Sequence, residues 1–313
     1  MSVLQVNNIT DTGGSTLLGR RNAIINGNFD VWQRGTARTF VSATYSADRW
    51  ACGQFQQAGH ELLDVSADTS VPFSNAMRVT SSSTAEAAAG TRMVLGQMVE
   101  SVNCSHLAGQ EVTLSAWVKF SAASYPETSS GAYLQLYFYD AVNPNFNSTT
   151  PTSNGTLTLP NGSLPTTWTK ITLTVTVPTS TKTIAPRFGF FDAFSTTNNG
   201  DYFYDTTGWQ LEAGSVATPF ERRSVGEELA LCQRYYFKED VGYRATSSRT
   251  DRMDVTIQYP VTMRAKPTTT YTSSVTFLAA IAFESPQKMV LYYAGAISGS
   301  DRTVDTFEAD AEL

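Results

Sequence analysis

The segment Glu111–Phe120 reads EVTLSAWVKF and sets Val112, Leu114, Ala116 and Val118 on one side of an extended chain. Alternation at a period of two marks a strand with one face in a core, and it is incompatible with a helical stripe. The pattern recurs. Ala76–Thr80 is a short version, Met93–Val102 a longer one, and Tyr133–Tyr139 (YLQLYFY) is rich in β-prone aromatics. Trp168–Val177 interleaves Trp168, Ile171, Leu173, Val175 and Val177 with threonines, and Arg187–Phe191 adds another strand. Segments of this length, separated by turn residues and without a helical period, predict an antiparallel β-sandwich.

The last strand of that body is expected within Tyr202–Arg223. Phe203, Trp209 and Leu211 continue an inward face, Gly214-Ser215 ends it, and Pro219 bars a return to regular pairing. A chain of 313 residues exceeds the ~250–300 at which single cores stop growing, so two domains are expected. Residues 224–237 predict a short connecting helix, opened by a capping box at Ser224 and Glu227. Val225, Leu229, Cys232 and Tyr236 recur along it as one apolar stripe, the candidate contact between copies of the chain. Residues 238–313 predict a smaller C-terminal β-sandwich domain with strands at Met253–Pro260, Thr270–Phe277, Met289–Ala294 and Thr303–Ala309. The polar, Pro-containing run 141–167 predicts a long loop, and Ala85–Gly90 a loop or a single helical turn.

Residues 1–21 carry Leu4, Val6 and Ile9 among turn formers, too few apolar side chains to fold alone. The next segments follow in a distinctive order: NGNFDVWQRG at Asn26–Gly35, YSADRW at Tyr45–Trp50, GWQLEAGSVATPFERR at Gly208–Arg223 and LALCQRYY at Leu229–Tyr236. Together they resemble a family of bacteriophage tail-fibre and related virion proteins. The lead LQVNNITDTGG at Leu4–Gly14 and the ending Phe307–Leu313 resemble the termini of such proteins. The resemblance implies a carbohydrate-binding-module-like jelly roll over residues 22–223 and an attachment arm over residues 1–21, with Leu4, Val6 and Ile9 as candidate contacts to other virion proteins. It also implies a virion location and a homotrimer. Jelly rolls of this kind often hold a structural calcium near their first and last strands, and Asn28, Asp30 and Asp205 stand near those places in chain order. Three side chains do not supply the six to eight oxygens that calcium takes.

Charged residues make up 16% of the chain, the net charge is −6 and no long basic run occurs, which argues against a nucleic-acid partner. No run approaches the ~18 apolar residues of a membrane span. Residues 1–21 lack the apolar centre of a secretory signal, so synthesis in a cytosol, without membrane insertion or export by that route, is expected. Cys52, Cys104 and Cys232 match no zinc spacing and are expected to be buried, reduced thiols.

His60 and His106 stand near no nucleophile motif, and no GxSxG occurs. Asp30, Asp48, Glu100, Glu111, Asp140 and Asp192 offer carboxylates for glycan cleavage, but no motif pairs any two of them. Stacked short repeats of a large depolymerase are missing. A non-catalytic protein without a cofactor is expected. Trp117, Trp168 and Trp209 are expected in core-facing registers and Trp50 is expected to be buried. Tyr133, Tyr137 and Tyr139 share one face of their strand and are the candidates for stacking on sugar rings. The combined expectation is a virion structural protein of tail-fibre type that attaches by its N-terminus and contacts host-surface glycans. The alternatives are a capsid decoration or head-fibre protein without a receptor role, and a polysaccharide depolymerase.

Overall fold

The alternating segments pair side by side in the computed structural model, which describes residues 21–40, 45–52, 58–81, 91–125, 131–144, 150–194, 202–244, 253–272, 278–293 and 302–312. The chain divides into a first unit that ends at Arg223 and a second from Ser224 to Glu312. The first contains β1 (Ala37–Phe40), β2 (Ala51–Cys52), β3 (Ala58–Asp64), β4 (Asn75–Ser81), β5 (Thr91–Gly96), β6 (Glu111–Phe120), β7 (Ala132–Tyr139), β8 (Ser153–Leu159), β9 (Thr169–Thr176), β10 (Thr183–Phe194) and β11 (Phe203–Ala213). They form a six-stranded sheet in the order β1-β3-β4-β11-β6-β9 and a five-stranded sheet in the order β2-β5-β10-β7-β8, antiparallel at each pairing.

Period-two patterning sorts the side chains between the two faces of each sheet. Val112, Leu114, Ala116, Val118 and Phe120 of β6 meet Leu134, Leu136 and Phe138 of β7 in one buried core. Trp209 of β11 is fully buried there, its ring centroid 5.1 Å from Trp50 and 6.1 Å from Phe188. Trp168 is buried as expected, in a second apolar cluster, whereas Trp117 departs from the expectation. Trp117 has the opposite parity from Val112–Val118, so it projects from the outer face of the six-stranded sheet. There it packs with Phe73, Phe220 and Trp168 in this cluster, with Val65, Val71 and Ala76.

Other boundaries differ as well. The strand expected over Met93–Val102 stops at Gly96, and Ser101–Cys104 forms a short helix, α1. The polar groups that leave the ladder find other partners: Ser101 N donates to Asn143 Oδ1 at 2.7 Å, and Ser101 Oγ meets Thr183 Oγ1 at 2.7 Å. The polar run 141–167 contains β8, which pairs with β7 along Ser153–Leu159. Its threonines face outward while Leu157 and Leu159 reach the core, so composition hid a half-buried edge strand. Residues 85–90 lie outside the described residues.

The NGNFDVWQRG and ADRW segments interlock. Buried Asn26 donates from Nδ2 to the carbonyls of Val31 and Asp48, accepts at Oδ1 from Val31 N, and receives the Trp50 indole N–H on its own carbonyl at 2.9 Å. Asp48 accepts from Gln33 N, Gln33 Nε2 and Arg34 Nη1. Asn26, Phe29 and Arg49 have φ of 56°, 58° and 73°, which folds this knot tightly. The knot is tied to β11: Trp209 N donates to Gly27 O at 2.8 Å, and a Cβ on Gly27 would lie 2.3 Å from Trp209 O. Asn22 reaches the same strand by donating from Nδ2 to Trp209 O and accepting at Oδ1 from Leu211 N.

The second unit opens with α2 (Val225–Gln233) and continues with β12 (Tyr236–Arg244), β13 (Met253–Gln258), β14 (Thr268–Thr272), β15 (Leu278–Glu284), β16 (Lys288–Tyr293) and β17 (Arg302–Asp310). Two three-stranded sheets result, β12-β17-β14 and β13-β16-β15. Ser224 caps the helix, its side chain accepting from Glu227 N at 3.3 Å. The helix ends at Gln233, short of the expected residue 237, because Tyr236 starts a strand that pairs with β17 along its whole length. β12 and β15 were not expected, and of the segment Thr270–Phe277 residues 273–277 lie outside the described residues. Ile257, Tyr259, Met263, Met289 and Phe307 are buried. Among the described residues no helix is long and apolar enough to cross a membrane.

Candidate functional site

β7 turns Leu134, Leu136 and Phe138 inward, so Tyr133, Gln135, Tyr137 and Tyr139 share the outer face of the five-stranded sheet. The register of β10 sets Arg187 opposite Gln135, Ala185 opposite Tyr137 and Gly189 opposite Tyr133. The Arg187 guanidinium carbon stands 4.7 Å from the centre of the Tyr137 ring, and Nη2 donates to the Tyr139 hydroxyl at 3.3 Å. On the other side, Gln135 Nε2 donates to Thr156 Oγ1 of β8 at 3.2 Å. Gln135 Oε1 is buried and has no hydrogen-bond partner among the described residues.

This face can stack flat rings and accept or donate neutral hydrogen bonds. Tyr133 and Tyr137 are partly exposed and stand four residues apart on a straight strand, about 13 Å at ~3.3 Å per residue. Tyr139 does not join them as a stacking surface. It is 1% exposed and packs with Ala51, Met98 and Ala185, and burial raises its phenol above the ordinary value. Gln135 and Arg187 belong to the face and were missed. The parity of Gln135 was readable from YLQLYFY, whereas Arg187 joins the site only through the register between β7 and β10.

The remaining candidates fall in different places. Asp205 is buried and accepts from Arg78 at 2.7 and 2.9 Å, while Asp30 accepts from Asn28 Nδ2 at 2.6 Å and Asn75 Nδ2 at 2.8 Å. In this structure these oxygens face N–H donors, Asp30 and Asp205 with separate partners. No group of three or more His, Cys, Asp or Glu suited to a metal occurs among the described residues. Leu4, Val6 and Ile9 lie outside the described residues. The four-residue stripe at the helix is split: Val225 is exposed and Leu229 half-buried, whereas Cys232 and Tyr236 are buried. Cys104 is buried as expected, and the side chain of Cys52 lies outside the described residues.

The fold defines an all-β protein, an antiparallel two-sheet sandwich followed by a helix and a smaller unit of two short sheets. No protein-family model matches the chain, and no curated protein matches it. Among solved structures it is similar to an arabinose-bound α-L-arabinofuranosidase, at 14% identity and a TM-score of 0.39 over 66% of this chain and 28% of that one. It is also similar to the enzymatically active domain of tailspike protein 4 of bacteriophage CBA120, at 12% identity and a TM-score of 0.34 over 61% of this chain and 21% of that one. A family 16 carbohydrate-binding module is matched at 14% identity and a TM-score of 0.34, over 61% of this chain and 99% of the module. The chain thus spans under a third of the length of the first two.

Proposed function

We propose that this chain is a virion structural protein of tail-fibre type, attached to its particle through residues 1–21 and in contact with host-surface glycan through the outer face of β7 and β10. The observation that carries the reading is the row Tyr133, Gln135, Tyr137 beside Arg187. It sets two partly exposed aromatic rings beside a cation and an amide side chain on one sheet face. The exposed edges of the Tyr133 and Tyr137 rings and the neighbouring polar groups are what a sugar would meet, the rings by stacking and the polar groups by hydrogen bonds. The resemblance of the NGNFDVWQRG, YSADRW and GWQLEAGSVATPFERR segments to tail-fibre proteins supports the virion role. Binding, and not cleavage, is the proposed activity.

The test is a titration of the whole chain with oligosaccharides released from host surface polysaccharide, followed by NMR. Tyr137→Ala is expected to weaken binding at least about tenfold, equivalent to ~1.4 kcal/mol. Retention of full affinity by a Tyr133→Ala, Tyr137→Ala double variant would remove the face from the reading. Shortening of the polysaccharide chains by the protein would favour the depolymerase instead.

A further inference from the structure

The outer face of the opposite sheet carries a second feature. Under the aromatic cluster lies a pocket of about 260 Å³, walled by Phe73, Trp117 and Phe220 and edged by Lys170 and Arg222. Its floor exists because residue 208 is glycine. Gly208 sits at the irregularity where β11 slips against β6, with φ +65°, and a Cβ there would lie 2.4 Å from the Phe73 ring and 3.0 Å from Trp117. At the ~30 Å³ that a water occupies, the space holds roughly nine waters, or one ring of monosaccharide size.

Two cations edge this pocket, and no carboxylate is among its lining residues. Each cation is held in place by a backbone carbonyl. Lys170 Nζ donates to Thr218 O at 3.1 Å, and Arg222 Nη2 donates to Pro72 O with its guanidinium 5.4 Å from the Phe73 ring centre. One carbonyl uses one donor of the three on a lysine or the five on an arginine. Lys170 is half-buried and Arg222 is exposed, and both keep spare donors for an anion. The aromatic walls meanwhile suit the flat face of a ring.

We infer that this pocket is a second ligand site, which takes a carboxylated six-membered sugar, a uronic acid residue, with its ring against Trp117 and its carboxylate between Lys170 and Arg222. The site lies on the other sheet from Tyr137 and does not depend on the glycan reading of that face.

The test uses the full chain, with methyl β-D-glucuronide and methyl β-D-glucoside as probes and the Trp117 indole N–H resonance as the readout. The two sugars differ in the carboxylate alone. The glucuronide is expected to shift Trp117 with millimolar affinity, at least about tenfold tighter than the glucoside, and to weaken as salt is raised. Arg222→Gln and Lys170→Met are each expected to remove that preference, while Lys170→Arg keeps it, with melting curves confirming that each variant is folded. Equal affinity for the two sugars, or no Trp117 shift at tens of millimolar glucuronide, overturns the proposal. Benzoate is the third probe: binding as tight as the glucuronide overturns the assignment to a sugar, and weaker binding supports it.

Discussion

Truncating Trp209 removes the ring that joins Trp50 to Phe188 and also the indole N–H that donates to Thr206 Oγ1 at 2.9 Å. Trp209→Ala is therefore expected to destabilise the first unit by about 3–5 kcal/mol, read as a lower denaturant midpoint. An unchanged midpoint would place the ring outside the energetic core. Cys104 makes a separate prediction. Burial, foremost, and the nearby Glu100 charge raise its thiol to about 12, while a backbone hydrogen bond opposes them. Nucleophilic thiolate is then scarce at neutral pH, so alkylation of Cys104 should follow global unfolding; rapid labelling of the native protein would contradict its burial. Single residues were read unevenly from the sequence. Trp209 and Leu211 were legible from their shared parity. Phe203, expected on the same inward face, is only half-buried and lies against Arg78, while Tyr204 is buried instead, because the strand slips between Thr207 and Gln210. Trp117 was misplaced although EVTLSAWVKF puts it out of step with its apolar neighbours, and Asn26 gave no sign that it accepts and donates four ways inside the fold.

Elements with a strong period were found close to their true limits: β6, β9, β13 and α2 by its cap. Those held by partners distant in sequence were not. β8 reads as a polar loop until β7 lies beside it, and β12 took the end of the predicted helix because nine pairs with β17 outweigh one more helical turn. The bulge in β11 is likewise invisible in GWQLEA, and it is the part of that strand most open to test. Gly208→Ala forces a side chain into a positive-φ position already closed by the Phe73 ring. The φ term alone costs about 1–2 kcal/mol. Expected are a lower melting temperature and a changed Trp117 environment, with Trp209 still buried. A neutral substitution would mean that Phe73 moves freely and the pocket has no fixed floor.

At the scale of the molecule, the proposed homotrimer draws on the tail-fibre resemblance, on exposed Val225, Tyr271 and Phe283, and on half-buried Leu229. Light scattering should report three times the mass of one chain, and a stable monomer at micromolar concentration would end that proposal. Removal of residues 1–21 should leave the protein folded but absent from assembled particles. Stability of the second unit should also depend on pH through Glu284. Burial raises its carboxyl above the ordinary 4.5, with Lys266 opposing, so the folded state holds this proton at pH values where the unfolded chain has lost it. Stability then falls as pH rises from 4.5 through the raised value and stays lower above it. Glu284→Gln should stabilise the second unit at neutral pH and have no such benefit below pH 4.5; a destabilised variant at neutral pH would reverse the sign.

The stitching of Asn22 and Gly27 to Trp209 and Leu211 closes the sandwich with its own beginning and end, across 187 residues in the Asn22–Trp209 bond. On the ribosome, the start of the domain must wait for that end. At roughly 5–20 residues per second the interval is about 10–40 s, during which Trp50 has no Trp209 to meet and the knot around Asn26 has nothing to lock against.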